Sequence, residues 1–442
     1  MKDRPDLQYG PGSRLIHGRN RSDAWEYGHH LVPPISTSAT FRLDSTDRGA
    51  MAFQEYAHAD KVDHHIYIYD RLREPNKDML EEDLADAEGG EMAVTFSTGM
   101  AAISSAITVL AGAGEHVITH RTLYGCTLSL LRNWLPHFGI EYDEIDLTRT
   151  DFLKRSIRPE TRVVYFETPS NPNLELIDIA AVAEVVAEAN RKRGEADRIH
   201  IVVDNTFSTP FCQRPLEHGA DFVVHSLTKG IGGFGTDMGG VVIGPESYRP
   251  IFLLHRKDFG AVLSPRAAWS VLVHGLPTLP IRMRQMQRNA EEVVRFLLEH
   301  ALVDKVRYPG LEGMADADLA KRQMTDYEGN FTPGSMIYFE LAGSSAHDQL
   351  QRGIRLIDHL AENAYTISLA VSLGNVRTLV EHPSSMTHAT VPVEEQAKYG
   401  INAGGVRLSI GLEDVEDIIR DLKSALAVVE QTFDHDIIAV DD

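Results

Sequence analysis

Between about residue 79 and residue 245, short apolar runs alternate with helical stretches, and this rhythm constrains the chain more than any other feature. The runs Val117–Thr119, Val163–Phe166, Ile199–Val203 and Phe222–Val224 read as strands. Helical spacing begins near Met79-Leu80-Glu81-Glu82-Asp83-Leu84 and returns between the strands, for example over Ile179–Asn190. Such alternation implies an α/β fold with a mainly parallel sheet and crossover helices. Ligands of such sheets sit beyond the carboxyl ends of the strands. Polar residues fall at those ends here, namely Glu167, Asp204 and Ser226.

The end of the last of these strands narrows the chemistry. His225-Ser226-Leu227-Thr228-Lys229 delivers paired hydroxyls and an amine, and Asp204 closes the preceding apolar run. These are the parts that pyridoxal phosphate requires. Lys229 forms the Schiff base, Asp204 keeps the ring nitrogen protonated, and Ser226 and Thr228 bond the phosphate. A lone lysine after a strand is usually a solvated surface residue, and the carboxylate and hydroxyls around this one displace that reading. Glycines come next at 230, 232, 233, 235, 239 and 240, letting backbone approach a bulky cofactor. Gly230-Ile231-Gly232-Gly233-Phe234-Gly235 fits G-x-G-x-x-G, but it leads into strand-like Met238–Ile243, not a helix. A dinucleotide fingerprint must open a helix, so a dehydrogenase is rejected.

Further candidates are weighed against plainer roles. Thr95–Ala102 lies at the start of the helical stretch Ala101–Leu110 and offers a second phosphate element; helix capping by Ser97 or Thr98 is the rival. Tyr124, in Tyr124-Gly125-Cys126, sits at a strand-to-helix turn, where it can stack on a cofactor ring or shuttle a proton; a packed loop tyrosine is the alternative. Arg71, in Tyr69-Asp70-Arg71, can hold phosphate bidentately or pair with Asp70 or Glu74. Arg407, inside the apolar strand Val406–Ile410, needs an anionic partner. A substrate α-carboxylate or a buried Asp or Glu would serve.

Composition excludes other classes. A formal net charge of -21 argues against a nucleic-acid partner. Two cysteines, Cys126 and Cys212, imply no disulfide framework. No apolar run is long enough for a membrane span, and Met1–Asp6 opens no signal peptide, so a cytoplasmic enzyme is expected. The 20 histidines lack metal spacing; His29-His30 and His64-His65 are adjacent pairs, and no metal is expected. Residues 1–65 read as an arm packing on a partner subunit, 66–262 as the cofactor domain and 263–442 as a smaller α/β domain. The last holds a long helix over Ile281–His300, a strand at Met336–Leu341, a helix near Gln349–Asp358 and a final helix at Val415–Glu430. Asp316–Pro333 reads as a polar surface insertion.

The chain resembles the Cys/Met-metabolism pyridoxal phosphate enzymes from about Leu31 to Leu426. The resemblance rests on Val202-Val203-Asp204-Asn205-Thr206, Gln213-Arg214-Pro215-Leu216-Glu217, His225–Lys229, Ser384-Ser385-Met386-Thr387-His388 and Val406–Asp414. It implies the aminotransferase-like fold type I, with a mainly parallel seven-stranded sheet, helices on both faces and a smaller C-terminal α/β domain. It also implies that Gly99 and Met100 join Ser226 and Thr228 at the phosphate, that Tyr124 stacks on the ring and that Asn171 lies near the ring hydroxyl. Ser372 and Arg407 match the substrate-carboxylate site. Tyr69 and Arg71 match residues that reach a neighbouring subunit's phosphate, implying a homo-oligomer, a tetramer built as a dimer of dimers. Cys126, Lys257-Asp258 and Val371 resemble the family's methionine γ-lyases, which implies a catalytic place for Cys126 beside the substrate sulfur and substrate contacts for Lys257, Asp258 and Val371. The expected reaction is α,γ-elimination on a small amino acid, L-methionine. The alternatives are γ-replacement, as in O-acetylhomoserine sulfhydrylase or cystathionine γ-synthase, and cystathionine γ-cleavage. Gly230, Phe234 and Glu74-Pro75-Asn76 depart from the family pattern, which usually has an aromatic, a histidine and Asn-Pro-Thr there.

Overall fold

Strand burial dictates how the first layer is built. In the computed structural model, which describes residues 9–17, 30–58, 65–386, 396 and 400–438, seven strands form one sheet. They are β1 (Met92–Phe96), β2 (His116–His120), β3 (Glu141–Ile145), β4 (Thr161–Glu167), β5 (His200–Asp204), β6 (Phe222–Ser226) and β7 (Gly240–Gly244), in the order β1-β7-β6-β5-β4-β2-β3. The run from β6 to β3 is parallel, whereas β7 lies antiparallel to both β1 and β6. Buried on both faces, the central strands carry near-continuous Val and Ile. The helix Gly99–Leu110 covers one face, packing Ala102, Ile103 and Ala106 with Phe96, Val202 and Val224. On the other face, Leu80 and Leu84 of the helix Pro75–Glu88 meet Ala93, Val223 and Val241. Val182 and Val186 of the helix Ile179–Asn190 meet Val164, Ile201 and Val203. Each fully buried leucine or valine contributes roughly 2 kcal/mol.

A second sheet has five strands: β8 (Val303–Arg307), β9 (Met336–Leu341), β10 (Ile367–Leu369), β11 (Thr378–Glu381) and β12 (Gly405–Ser409). Its order is β10-β11-β12-β9-β8, and β12 pairs antiparallel with both neighbours. The helices Leu276–Leu298, Ala346–Asn363 and Val415–Ile438 share one core with it, through Val294, Leu360 and Leu422 among others. This is the smaller α/β unit that the sequence leads one to expect. The glycine run 230–235 is a loop between β6 and β7 and opens no helix.

Asp316–Pro333 corrects its reading as a surface insertion. The helix Ala317–Gln323 buries Ala320, with Met324 just beyond it, against Leu176. Gln323 accepts from Ile179 N at 3.0 Å and donates to Ile177 O at 3.1 Å. Arg214 donates to the carbonyls of Thr325 and Asp326, and Tyr327 Oη donates to Ala87 O at 3.1 Å. The segment is a strap across the first unit. Its few apolar residues are spaced among charges that face outward, which hides the buried face from a reading of composition. His29, His64, Thr387 and His388, and parts of the 1–65 arm, lie outside the described residues.

Candidate active site

The loop after β6 carries Lys229 back beneath the second sheet. Its Nζ donates to Ser372 Oγ at 2.6 Å. Ser372 holds a φ of 122°, in the left-handed half of the map, where a side chain is strained by ~1–3 kcal/mol. Two contacts hold it there: its hydroxyl meets Lys229, and its carbonyl accepts from Arg407 Nη2 at 3.1 Å. Burial lowers the Lys229 pKa, and the Arg407 charge lowers it further. The departure at Gly230 has a packing cause. A Cβ at Gly374 would lie 2.4 Å from Gly230 N, and a Cβ at Gly230 would lie 2.7 Å from Thr209 Cγ2. A side chain at Gly230 would have to displace the Thr209 methyl. Phe234 sits 5.6 Å beneath the Arg282 guanidinium, which donates to the carbonyls of Gly230, Ile231 and Gly275. Burial pushes Arg282 down to about 10.

Arg407 leaves β12 opposite Glu381 of β11. Its Nη1 donates to Asn171 Oδ1 at 2.6 Å, and Nη2 forms an ion pair with Glu381. The buried acid left open by the sequence is therefore present. Both side chains are nearly inaccessible, and Glu381 Oε1 has no hydrogen-bond partner. Glu381 escapes the sequence reading, although a carboxylate ending the apolar run Leu379-Val380 is a visible signal.

At the strand ends of the large sheet, Asp204 accepts from Thr206 N at 3.0 Å and from Tyr165 Oη at 3.3 Å. Burial raises its pKa. Glu167, its register partner on β4, accepts from Tyr124 N at 2.7 Å and so fixes the turn that carries the tyrosine. Burial, reinforced by the Asp204 charge, holds Glu167 well above the carboxylate range. The Tyr124 hydroxyl is pushed up to about 12 by burial and by its hydrogen bond with Cys126, so it carries its proton at neutral pH. Cys126 lines a cavity of about 290 Å3 with Met100, Leu130 and Trp134.

The helix Gly99–Leu110 starts against Ser226. A Cβ at Gly99 would stand 2.8 Å from Ser226 Cβ, and one at Gly240 would stand 2.2 Å from Thr98 O. Thr98 caps the helix by accepting from Ala101 N at 3.0 Å. The backbone at Gly99 and Met100 therefore faces the hydroxyl end of β6, where free helix N–H groups suit an anion. Thr228 Oγ1 accepts from Gly239 N at 3.2 Å. Tyr69, Arg71, Lys257 and Asp258 form a separate cluster. Arg71 Nη1 donates to Lys257 O at 2.8 Å, its guanidinium lies 5.6 Å from the Tyr69 ring, and Lys257 pairs with Asp258 at 3.2 Å. Val371 adjoins Ser372 and is exposed.

An amine with a lowered pKa, a buried strand-end carboxylate, a tight helix-start cradle beside hydroxyls and a protonated tyrosine fit pyridoxal phosphate. Fold and site together define an enzyme that works through this cofactor. The family described as Cys/Met metabolism PLP-dependent enzyme matches residues 12–427, and the chain belongs to it. It is 42% identical over 428 residues to a protein named L-methionine gamma-lyase from Porphyromonas gingivalis, covering 96% of this chain and 99% of the other. A protein of the same name from Pseudomonas putida is 39% identical, covering 94% and 97%. A cystathionine beta-lyase from Lactococcus lactis is 38% identical, covering 81% and 88%. The crystal structure of metB from Corynebacterium glutamicum superposes with a TM-score of 0.82 at 30% identity, covering 95% of this chain and 98% of the other.

Proposed function

We propose that this protein is a carbon–sulfur lyase that cleaves L-methionine by α,γ-elimination, giving methanethiol, 2-oxobutyrate and ammonia. The observation that carries this reading is the gathering of Lys229, Tyr124, Cys126 and Ser372 around Arg407, in a chain about 40% identical to proteins named for that activity. Bound pyridoxal phosphate supplies an electron sink for charge developing at the substrate carbons. Arg407 holds the α-carboxylate at the site it shares with Ser372, whose carbonyl orients the guanidinium while Asn171 braces it. Lys229 Nζ takes the α-proton, gives it up again, and only as a neutral amine once more takes a β-proton, work suited to a group whose pKa burial has lowered so that it both accepts and releases protons. Tyr124 Oη delivers its proton to the departing methanethiolate, beside Cys126. Asp204 would pair with the ring nitrogen, and Gly99, Met100, Ser226 and Thr228 would hold the phosphate. Val371 offers an apolar contact to an S-methyl end.

In this reading Tyr69 and Arg71 complete the phosphate site of a neighbouring copy, with Lys257 and Asp258 at the same boundary. The working assembly is a homotetramer made as a dimer of dimers, and the cofactor unit spans 66–262. Among the described residues no helix is long and apolar enough to cross a membrane, and the proposed location is the cytoplasm.

The test is 2-oxobutyrate release from L-methionine by the purified, cofactor-loaded protein without a second nucleophile. Release that Lys229→Ala abolishes, together with the lysine-linked coenzyme's absorbance band, supports the reading. Turnover that appears only when a thiol is added to an activated homoserine would establish γ-replacement instead.

A further inference from the structure

A second group of buried charges lies behind the site. Glu88 ends the helix Pro75–Glu88, and its side chain is fully buried. That is an unfavourable place for a carboxylate, because the helix dipole is negative there and no water reaches it. Two donors compensate. His225 Nε2 meets Glu88 Oε2 at 2.8 Å, with both side chains at 0% exposure, and Asn205 Nδ2 donates to Glu88 Oε1 at 3.2 Å. Asn205 comes directly after Asp204, and His225 directly precedes Ser226. Neighbours on a strand point to opposite faces, so Glu88 grips β5 and β6 from the side of the sheet away from Ser226.

The grip continues outward. Asn205 Nδ2 also donates to Gln213 O at 2.7 Å, and Gln213 Nε2 donates to Asn205 Oδ1 at 2.9 Å. Gln323, on the strap, donates to Gln213 Oε1 at 3.1 Å. His225 Nδ1 is buried with no hydrogen-bond partner.

We propose that Glu88 and His225 form a positioning dyad for the cofactor, fixing the two strand ends that present Asp204 and Ser226. This rests on the reading of Asp204 as the partner of the ring nitrogen. Neither dyad member touches cofactor or substrate; both act through their neighbours.

The experiment compares the holoenzyme with Glu88→Gln, His225→Gln and the double variant. It measures the Kd for pyridoxal phosphate, the ratio of the bound coenzyme's absorbance bands, and kcat and KM for L-methionine. Each single variant is expected to weaken cofactor binding and lower kcat by about tenfold to a hundredfold, the worth of one charge-assisted hydrogen bond, with KM moving much less. The double variant is expected to be no worse than either single one, because the two groups act as a unit. Gln323→Ala, at the far end of the same chain of bonds, should lower Tm and leave the absorbance ratio unchanged. If Glu88→Gln gives no folded protein, His225→Gln carries the same readouts. Wild-type Kd, absorbance and kcat in these variants, or changes no different from those of Gln323→Ala, would overturn the dyad. Asp204→Asn is run alongside. If it too behaves as wild type, the reading of Asp204 fails; if it alone loses cofactor affinity and turnover, only the dyad fails.

Discussion

In the proposed reaction two demands fall on the single guanidinium of Arg407: it must stay charged while buried, and it must point at a substrate. Burial lowers its pKa, and Glu381 restores the charge from one side while Asn171 and the Ser372 carbonyl orient it from others. A lysine ammonium cannot span those acceptors at once, because it lacks the planar fork. Arg407→Lys is therefore expected to raise KM for L-methionine by about tenfold to a hundredfold, the worth of a lost charged hydrogen bond, with a smaller effect on kcat. Ser372→Ala separates the two functions of that residue. The carbonyl that Arg407 uses remains, and only the hydroxyl bonded to Lys229 is lost. Steady-state kinetics should show kcat falling by about fivefold to tenfold and KM nearly unchanged; an equal loss in both variants would contradict this division. Arg407 is legible in the sequence because a charge inside an apolar strand demands a partner. Which partner is not, since Glu381 meets it only through the pairing of β11 with β12.

At the level of elements, the start of the helix Pro75–Glu88 carries one of the chain's departures from its family. Glu74 caps it, accepting from Lys77 N at 3.1 Å, and burial raises its pKa from 4.5 to about 7. A carboxyl with a raised folded-state pKa binds its proton more tightly when folded. Its effect on stability is most favourable below about 4.5 and is lost as pH rises to about 7. The shift corresponds to roughly 3 kcal/mol. Glu74→Asn keeps a capping oxygen without the charge. Unfolding of the apoprotein by denaturant between pH 4.5 and 8 should show the wild type losing stability across that window and the variant staying flatter. The variant should be the more stable at pH 8; parallel curves would remove Glu74 as the cause. Legibility tracks burial here. The interior strands β2, β4, β5 and β6 announce themselves through Val and Ile, whereas β3 (EYDEI) and β8 (VDKVR) are edge strands, half-exposed and charged, with no apolar run to find. The strap at 316–333 is hidden for the opposite reason. Its buried residues are few and gain their contacts from Leu176, Arg214 and Ala87, far away in sequence.

For the whole molecule, the decisive fact is that the candidate residues fall into two groups. Lys229, Tyr124, Cys126, Ser372, Asn171 and Arg407 converge, while Tyr69 and Arg71 stand apart with Lys257 and Asp258. Tyr69 remains 40% exposed, and the Arg71 guanidinium lies 5.6 Å from its ring. Residues held ready at a surface in this way complete a site only if a second copy brings its own cradle to them. The arrangement can be tested without a structure of the assembly. Arg71→Ala and Lys229→Ala should each be nearly inactive as purified homo-oligomers. If each site takes Arg71 from one copy and Lys229 from another, unfolding and co-refolding equal amounts yields hybrid dimers with one intact site. Random pairing makes half the dimers hybrid, so activity should return to about a quarter of wild type. Absence of recovery, with mixed oligomers demonstrated by differently tagged chains, would place Arg71 in the service of its own protomer. The converse mixture sharpens the result. With both substitutions on one chain and wild type as the other, sites shared between copies leave every hybrid inactive, and activity falls to about a quarter of that of undiluted wild type. Sites built within one copy would leave about half.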